Sequence, residues 1–286
     1  MSSADHVASW YKATRNDQSQ HPSLAGKLTA DVCIIGAGYT GLHSAIELAE
    51  RGYRVVVLEA RRVGWGASGR NGGQICTAYA CGMEKIERWM GLADARRLFQ
   101  LSEEAKEILR ERIAHFAIDC GLTWGLLSAA ARPREMQECE EWLESARRDY
   151  DYTGLELIRE PEALRQLVDS PRYIGGLLDR GAGHLHPLNY CLGLARGAQG
   201  LGVQIFAQSQ VTKIRRGDPV RICTSAGEVE APFLVVAGNA YLNGLLPELR
   251  ARIMPVGTYI GATASLGQER AAALLPQDYA VSDLKF

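Results

Sequence analysis

The chain has 286 residues, a formal net charge of −1 and 23% charged residues, which suits a globular protein of one large or two ordinary domains. The near-neutral charge gives no reason to expect a nucleic-acid partner or an anionic membrane surface. No apolar run reaches the roughly 18 residues of a membrane-spanning helix, and the first thirty residues lack the apolar centre of a signal peptide. We therefore expect a cytoplasmic protein.

Seven cysteines are scattered along the chain without a Cys-x-x-Cys pair. An odd number of unpaired cysteines predicts neither a disulfide framework nor a zinc site, and we expect no metal. Cys33 lies in an apolar run and is predicted to be in the core. Cys76 and Cys81 are interpreted as small buried thiols rather than as a redox pair.

The predicted elements begin with an N-terminal arm over residues 1–30, which Trp10 and Tyr11 anchor to the main body. The apolar run Val32–Ile35 then predicts a buried parallel strand. A glycine turn leads into a helix from about residue 40 to 51, and residues 54–58 form a second strand. This order is the strand–turn–helix–strand of a dinucleotide-binding unit.

The residues at this turn suit an ADP-containing cofactor. Gly36 permits the sharp turn, Gly38 lets the backbone approach a pyrophosphate, and Gly41 lets the helix pack against the strand. Glu59, at the end of the second strand, would accept hydrogen bonds from the adenosine ribose and would repel a 2′-phosphate, which argues against NADP. The agreement of all flanking elements argues against a bare glycine turn without a cofactor.

A second glycine-rich segment, residues 66–73, follows the ribose acid directly. It is either a loose surface loop or a segment that wraps around a second, larger part of a cofactor and binds it through backbone N–H groups and amide side chains. Its place seven residues after Glu59 favours the wrapping, and therefore FAD over NAD.

Further along the chain, alternating helical and strand patterns are predicted. Helical spacing predicts helices from about 93 to 120 and from about 133 to 150, and residues 155–190 are expected to be extended and turn-rich. The later predicted elements are a helix over 187–200, strands over 203–207 and 211–215, a hairpin from 221–224 to 229 onward, and a strand from 233 that ends in a small-residue turn.

With these segments the chain resembles the D-amino-acid-oxidase-like superfamily of FAD-dependent oxidoreductases. Within it, the chain is most similar to the bacterial γ-glutamylputrescine oxidase type. The resemblance covers the whole chain and is carried by residues 8–14, 30–38, 66–74, 183–187, 202–211 and 233–240.

The resemblance implies an α/β fold with an α+β substrate part: a Rossmann-like FAD-binding domain with an inserted mixed-sheet substrate domain. The FAD-binding domain would comprise residues 31–90 and 183–245, and the helical and substrate-domain segments residues 91–182 and 246–286. Members of the family run on for well over a hundred residues more, so the resemblance implies a chain truncated within the substrate domain. A separate C-terminal piece or a second copy is the expected partner.

The resemblance also implies the contacts with a non-covalent FAD. Val211 would offer its backbone to the adenine, and Ala237 and Gly238 would pass close to the cofactor. The residues that would line the path toward the isoalloxazine are Ser68, Arg70, Asn71, Gly72 and Gly73. The complete set of residues predicted to bind the cofactor is Gly36, Ala37, Gly38, Tyr39, Thr40, Gly41, Glu59, Ala60, Arg61, Gly66, Ala67, Ser68, Arg70, Asn71, Gly72, Gly73, Gln74, Val211, Ala237 and Gly238.

The activity that the resemblance implies is oxidation of the C–N bond of a small-molecule amine, γ-glutamylputrescine-like or a related secondary amine. The carbon next to nitrogen would give a hydride equivalent to flavin N5, water would hydrolyse the imine, and dioxygen would leave as hydrogen peroxide. Two alternatives stay open. One is a D-amino-acid, glycine or sarcosine dehydrogenase that passes electrons to a carrier, and the other is a truncated FAD-binding fragment without catalysis.

No catalytic triad is expected, and the candidates for a catalytic role are few. Gln74 is expected near the flavin face, while His186 and Tyr259 are weighed against structural roles. His184 and His186 would face opposite sides of a strand or turn, which disfavours a metal pair. Tyr259 is interpreted as a packed strand tyrosine, and Trp65 as a packing residue.

Overall fold

The computed structural model describes residues 5–242 and 244–284. Within them the α-helices are α1 (Trp10–Thr14), α2 (Tyr39–Glu50), α3 (Met83–Met90), α4 (Leu92–His115), α5 (Pro133–Tyr150), α6 (Pro161–Arg165), α7 (Pro187–Gly200), α8 (Pro247–Arg250) and α9 (Gln268–Leu274). The strands are β1 (Gly26–Thr29), β2 (Val32–Ile35), β3 (Val55–Leu58), β4 (Gln74–Ile75), β5 (Thr123–Ala130), β6 (Leu155–Ile158), β7 (Gly175–His184), β8 (Gln204–Phe206), β9 (Lys213–Arg215), β10 (Val220–Cys223), β11 (Gly227–Ala231), β12 (Phe233–Val236) and β13 (Ala280–Asp283).

The chain divides into two compact units, each built from three stretches of sequence. The first unit comprises residues up to 71, residues 112–120 and residues 186–262. The second unit comprises residues 72–111, residues 121–185 and residues from 263 onward. This division does not test the domain limits predicted from the sequence, which stay a prediction.

The first unit contains a parallel sheet with the strand order β12-β2-β3-β8. Every residue of β2 and β3 is buried, as the uninterrupted apolar runs predicted for strands covered on both faces. Helix α2 buries its apolar side, including Leu42 and Ile46, and α7 is buried along nearly its whole length. These elements confirm the predicted α/β fold with a Rossmann-like βαβ unit.

A second sheet of this unit has the order β1-β11-β10-β9. Strands β10 and β11 form the predicted antiparallel hairpin, and β1 joins β11 in parallel. Its core side chains include Ile222 and Val229, which are fully buried. The sheet brings Val211 and its neighbours toward the core that β2 and β3 also share.

Helices α2 and α7 and the last turn of α4, which from residue 112 onward belongs to the first unit, meet at the imidazole of His43. Arg112, on α4, donates to Nδ1 of this ring, and the hydroxyl of Tyr190, on α7, lies 3.0 Å from Nε2. Because a guanidinium only donates, Nδ1 must accept, so Nε2 carries the proton and donates to Tyr190. The arrangement therefore requires a neutral His43.

We expect the first unit to lose stability in mild acid because of His43. Burial, followed by the charge of Arg112, lowers the pKa of His43 to about 4 from 6.5. The folded pKa is below the unfolded one, so this contribution is complete above pH 6.5 and is lost as the pH falls toward 4. Between about pH 7.5 and about pH 5 the loss should be about 2 kcal/mol of unfolding free energy.

Urea unfolding of the wild type and of His43→Gln at both pH values checks this expectation. The variant should be less stable than the wild type at the higher pH. Between the two pH values its free energy of unfolding should fall by about 2 kcal/mol less than that of the wild type. The same substitution at His115, an exposed ring packed edge-on against Phe116, serves as the control and should leave the wild-type difference in place. Equal pH dependence in the wild type and His43→Gln would contradict the assignment.

The second unit is built on a mixed sheet with the order β13-β5-β7-β4, in which β6 also pairs with β7. Helix α5 has the predicted limits of 133 and 150. Strand β5, which pairs with β7 over most of its length, was not predicted, and the region expected to be extended and turn-rich contains β6 and β7. The inserted mixed-sheet part of the fold prediction is thus present.

A β-bulge interrupts the pairing of β5 with β7, and a carboxylate fills the gap that it leaves. The register shifts between Trp124 and Leu126, opposite residues 180–182 of β7. The Oδ1 atom of Asp179 accepts the backbone N–H groups of Gly181 and Ala182, at 2.9 and 3.2 Å. These two groups would otherwise have lost their ladder partners.

Three further side chains of the second unit complete this hydrogen-bond network around Asp179. The hydroxyls of Thr77 and Tyr152 donate to Oδ2 and Oδ1 of the carboxylate. Lys106 donates to Thr77 over 2.9 Å, and since an ammonium cannot accept, the threonine proton must go to Asp179. We call these four side chains the Asp179 network.

Several predictions about single residues are wrong. Helix α4 ends at His115 rather than near 120, where Ala117 has a φ of +47° that a helix does not allow. Trp10 is 56% exposed and does not anchor the arm. Cys76 and Cys81 are exposed rather than buried, while Cys33 is in the core as predicted. No helix among the residues described has the length and apolar character to cross a bilayer.

Candidate functional site

A cleft of about 240 Å³ opens in the first unit where β2 and β3 end. Of the residues predicted to bind a cofactor, those that line it are Gly36, Ala37, Gly38, Tyr39, Thr40, Glu59, Ala60, Arg61, Gly66, Ala67, Ser68, Val211, Ala237 and Gly238. Lining residues that the sequence did not single out for the cofactor include Gly64, Trp65, Gln210, Asn239, Tyr241 and Leu242. The carboxyl edge of a parallel sheet is the usual ligand site of such folds.

The glycine turn leaves no room for side chains. A Cβ atom on Gly36, whose φ is +105°, would lie 2.6 Å from the carbonyl oxygen of Ala237. A Cβ atom on Gly41 would lie 1.9 Å from the carbonyl oxygen of Gly36. These glycines let α2 begin directly at the cleft, so its N-terminal N–H groups and positive dipole end face an anionic ligand.

Glu59 is fixed at the end of β3 by two backbone groups. Its Oε2 accepts the N–H of Ala37 over 2.8 Å, and its Oε1 accepts the N–H of Arg61 over 2.9 Å. Burial raises the pKa of Glu59, and these two hydrogen bonds act in the opposite direction. The carboxylate thus faces the cleft in one orientation, with lone pairs left to accept ribose hydroxyls.

The second glycine-rich segment forms a tight 3₁₀ turn over Ala67–Gly69 beside the start of α2. The hydroxyl oxygen of Ser68 accepts the N–H of Tyr39 over 3.0 Å. The amide of Asn71 donates to the carbonyl oxygens of Ala67 and Ser68, both at 3.1 Å. Asn71 therefore stabilises the turn that shapes the cleft, and it does not line the cleft itself.

Arg70 carries a buried charge that the described residues do not satisfy. Its Nε and Nη2 atoms are buried without a hydrogen-bond partner, while its guanidinium stacks on the ring of Trp65, 4.1 Å from the centroid. Buried charged donors are normally paired, so these two donors are unusual, although Arg70 does not line the cleft. The family resemblance predicts Arg70 at the cofactor, but no local sequence pattern shows that two of its donors lack a partner.

The end of the glycine-rich segment belongs to the second unit. Gly73 has a φ of +75°, and its carbonyl oxygen accepts the N–H of Leu185 over 3.0 Å. Gln74 begins β4 and is exposed, and a Cβ atom on Gly72 would lie 2.3 Å from its Oε1 atom. The contacts of Gly72, Gly73 and Gln74 with a cofactor stay predictions.

His186 is placed as a helix cap. Its Nδ1 atom accepts the N–H of Asn189 over 3.1 Å, so Nε2 carries the proton and donates to the hydroxyl of Thr14 over 3.0 Å. The ring of Tyr11 packs edge-on against it, and burial lowers the pKa of His186. Both ring nitrogens are engaged, which favours the structural role over the catalytic one, and Tyr11 anchors the arm as predicted.

Tyr259 does not occupy a strand. Its side chain is 97% exposed, and residues 253–263 form neither helix nor strand. None of the described strands pairs with this segment, so its backbone has no ladder to join. The interpretation of Tyr259 as a packed strand tyrosine is wrong. Its contact with a substrate stays a prediction.

Comparison with known proteins agrees with the geometry of the cleft. The family model described as DAO, FAD dependent oxidoreductase, matches residues 31–285. Gamma-glutamylputrescine oxidoreductase of Escherichia coli is 42% identical over 99% of this chain and 66% of its own length. Probable oxidoreductase OrdL of Haemophilus influenzae is 38% identical over 98% and 66%. The chain therefore spans slightly less than two thirds of these relatives.

Solved structures give the same fold. Glycine oxidase of Geobacillus kaustophilus superposes with a TM-score of 0.62 and 25% identity, over 78% of this chain and 59% of its own. L-Amino acid deaminase of Proteus myxofaciens, solved in complex with anthranilate, gives a TM-score of 0.65 and 25% identity, over 78% and 48%.

Proposed function

The chain belongs to the DAO family of FAD-dependent oxidoreductases, and we propose that it oxidises the C–N bond of a small amine of the γ-glutamylputrescine class or a related secondary amine. Membership confirms the predictions of an FAD-dependent oxidoreductase and of FAD as its cofactor. The observation that carries the proposal is the cleft itself. A glycine turn and a fixed ribose acid converge there at the start of one helix.

The residues present fit FAD. Pockets for drug-sized ligands measure roughly 300–1,000 Å³, so a cleft of about 240 Å³ would enclose a part of the dinucleotide. The N-terminus of α2 would hold the pyrophosphate, and Glu59 the adenosine ribose. We propose that FAD binds without a covalent link.

When bound, FAD supplies an acceptor for the two electrons and the proton that leave the carbon next to the amine nitrogen, and water hydrolyses the resulting imine. The described residues contribute binding and orientation. Glu59 would hold one end of the cofactor, and the hydroxyl of Ser68, which accepts the N–H of Tyr39, fixes the second glycine-rich segment against the start of α2. We propose that dioxygen takes up the electrons and is released as hydrogen peroxide.

The test is a single-turnover experiment with the purified chain loaded with FAD. Each of a panel of amines, with γ-glutamylputrescine, putrescine, sarcosine, glycine and D-alanine among them, is added without oxygen while the visible flavin absorbance is followed. We expect γ-glutamylputrescine to bleach the flavin and air to restore it with release of hydrogen peroxide. Free FAD with the same amines is the control. A loaded chain that no amine bleaches would overturn the proposal and would favour a binding fragment without catalysis.

A second candidate is a dehydrogenase of glycine, sarcosine or a D-amino acid that uses an electron carrier other than dioxygen. The similarity to glycine oxidase supports its amino-acid substrate but not its electron carrier. The same experiment separates the two candidates, because bleaching by an amino acid with slow return of the colour in air would support the dehydrogenase. A peroxide yield equal to the amine consumed would exclude it.

A further inference from the structure

Trp65 forms the centre of an aromatic stack at the wall of the cleft. The guanidinium of Arg61 lies 4.0 Å from its ring centroid, and that of Arg70 lies 4.1 Å from it. The ring of Tyr241 meets Trp65 edge-on, with centroids 5.7 Å apart. Trp65, Arg61 and Tyr241 all line the cleft. One indole ring thus sets the place of two positive charges, of which Arg61 lines the cleft and Arg70 does not.

The N-terminal arm holds this indole ring in place. The Nε1 atom of Trp65 donates to the backbone carbonyl oxygen of Asp5 over 2.9 Å. The carboxylate of Asp5 in turn pairs with Arg62 at 3.1 Å and with Lys12, on α1, at 2.8 Å. The ring can therefore turn only if the arm moves with it.

Stacking explains how Arg70 can remain buried without a hydrogen-bond partner at Nε and Nη2. A guanidinium over an indole face is attracted by the ring electrons, and this attraction strengthens away from water. The face of the guanidinium is taken by Trp65, while the N–H edge at Nε and Nη2 stays free. The stack therefore holds the Nε and Nη2 donors of Arg70 in one orientation, and hydrogen bonds from a guanidinium depend on such an orientation.

We propose that Trp65 is a positioning residue for FAD. Pinned by the arm, it would orient the guanidinium of Arg61 toward the cofactor before the cofactor binds, and Arg70 on the same ring would add positive charge beside it. This inference rests on the proposed function, because it assumes that the cleft takes FAD. It gives the N-terminal arm a part in cofactor affinity although, among its described residues 5–30, none lines the cleft.

The test compares FAD dissociation constants of Trp65→Phe and Trp65→Leu with the wild type by fluorescence titration of the cofactor-free chain. Phenylalanine keeps an aromatic face and loses the N–H donor, so we expect affinity to fall several-fold. Leucine loses both, and we expect a fall of about 10-fold or more. Trp10→Leu is the matched control, because Trp10 lies on the N-terminal arm and is 56% exposed. The FAD affinity of this variant should equal that of the wild type.

Melting temperatures of the cofactor-free variants separate positioning from general stability. If Trp65 only supports the fold, the variants will melt earlier while the folded fraction binds FAD as tightly as the wild type, and the inference is overturned. Equal dissociation constants in all four proteins would overturn it as well. A wild-type chain that binds no FAD would defeat the proposed function itself, which is a different result from unaffected variants of a binding wild type.

Discussion

Replacing Gly41 with alanine is expected to weaken FAD binding by about 100-fold and to lower the melting temperature of the chain. The new Cβ atom would lie 1.9 Å from the carbonyl oxygen of Gly36, which is a backbone atom at the tightest point of the turn. Since such contacts below 3.0 Å are essentially never seen, α2 would have to withdraw by about 1 Å. The N–H groups at its N-terminus would then no longer face the cofactor in their present orientation.

The control for this variant is Gly200→Ala in the same unit. Gly200 is the last residue of α7, and a Cβ atom there would meet nothing within 4 Å. Alanine is the better helix former, so the control should bind FAD normally and melt at the same or a slightly higher temperature. FAD titration and thermal melting of both variants complete the test. Normal affinity in Gly41→Ala would show that the close packing of α2 does not position the site.

The fold around the cleft could be predicted because its signals are local. Val32–Ile35 reads as a buried strand from its own residues, and the three glycines have a spacing that only the turn requires. Glu59 follows its strand directly, so its place at the sheet edge also follows from sequence order. Each of these inferences needs only a short window of the chain and one periodicity.

The remainder of the site depends on contacts between distant residues, which no local pattern contains. Trp65 was interpreted as packing because its partners, Asp5 and Tyr241, are far away in sequence. The assignment of Tyr259 to a strand was wrong because a strand exists only with a neighbour that pairs with it. Strand β5 escaped prediction in part because Gly125, with a φ of +130°, interrupts its apolar alternation at the bulge.

The Asp179 network is the clearest case of such a long-range dependence, and it gives the second large prediction. Asp179→Ala should lower the free energy of unfolding by about 3 kcal/mol or more. Two backbone N–H groups at the bulge would lose their acceptor, and one of them belongs to Ala182, which is 1% exposed. The hydroxyls of Thr77 and Tyr152 would lose theirs at the same time.

Two comparisons show whether the loss comes from the bulge. Asp179→Asn keeps one carbonyl oxygen of the same shape, which can still accept from Gly181 and Ala182, so we expect it to cost less than half as much as alanine. Glu156→Ala removes a carboxylate that pairs with Arg180 at 2.6 Å in an exposed ion pair, and it should cost at most about 1 kcal/mol.

Urea unfolding of the three variants under one set of conditions gives the order directly. We expect Asp179→Ala to be the least stable, followed by Asp179→Asn and then Glu156→Ala. Exchange of backbone amides with deuterium adds a local measurement. In Asp179→Ala the amides of Gly181 and Ala182 should lose protection, while the amides paired between β6 and β7 should exchange only through global unfolding. If Asp179→Ala and Asp179→Asn both lowered the free energy of unfolding only slightly, the N–H groups at the bulge must find other acceptors. Asp179 would then not be required to stabilise the bulge.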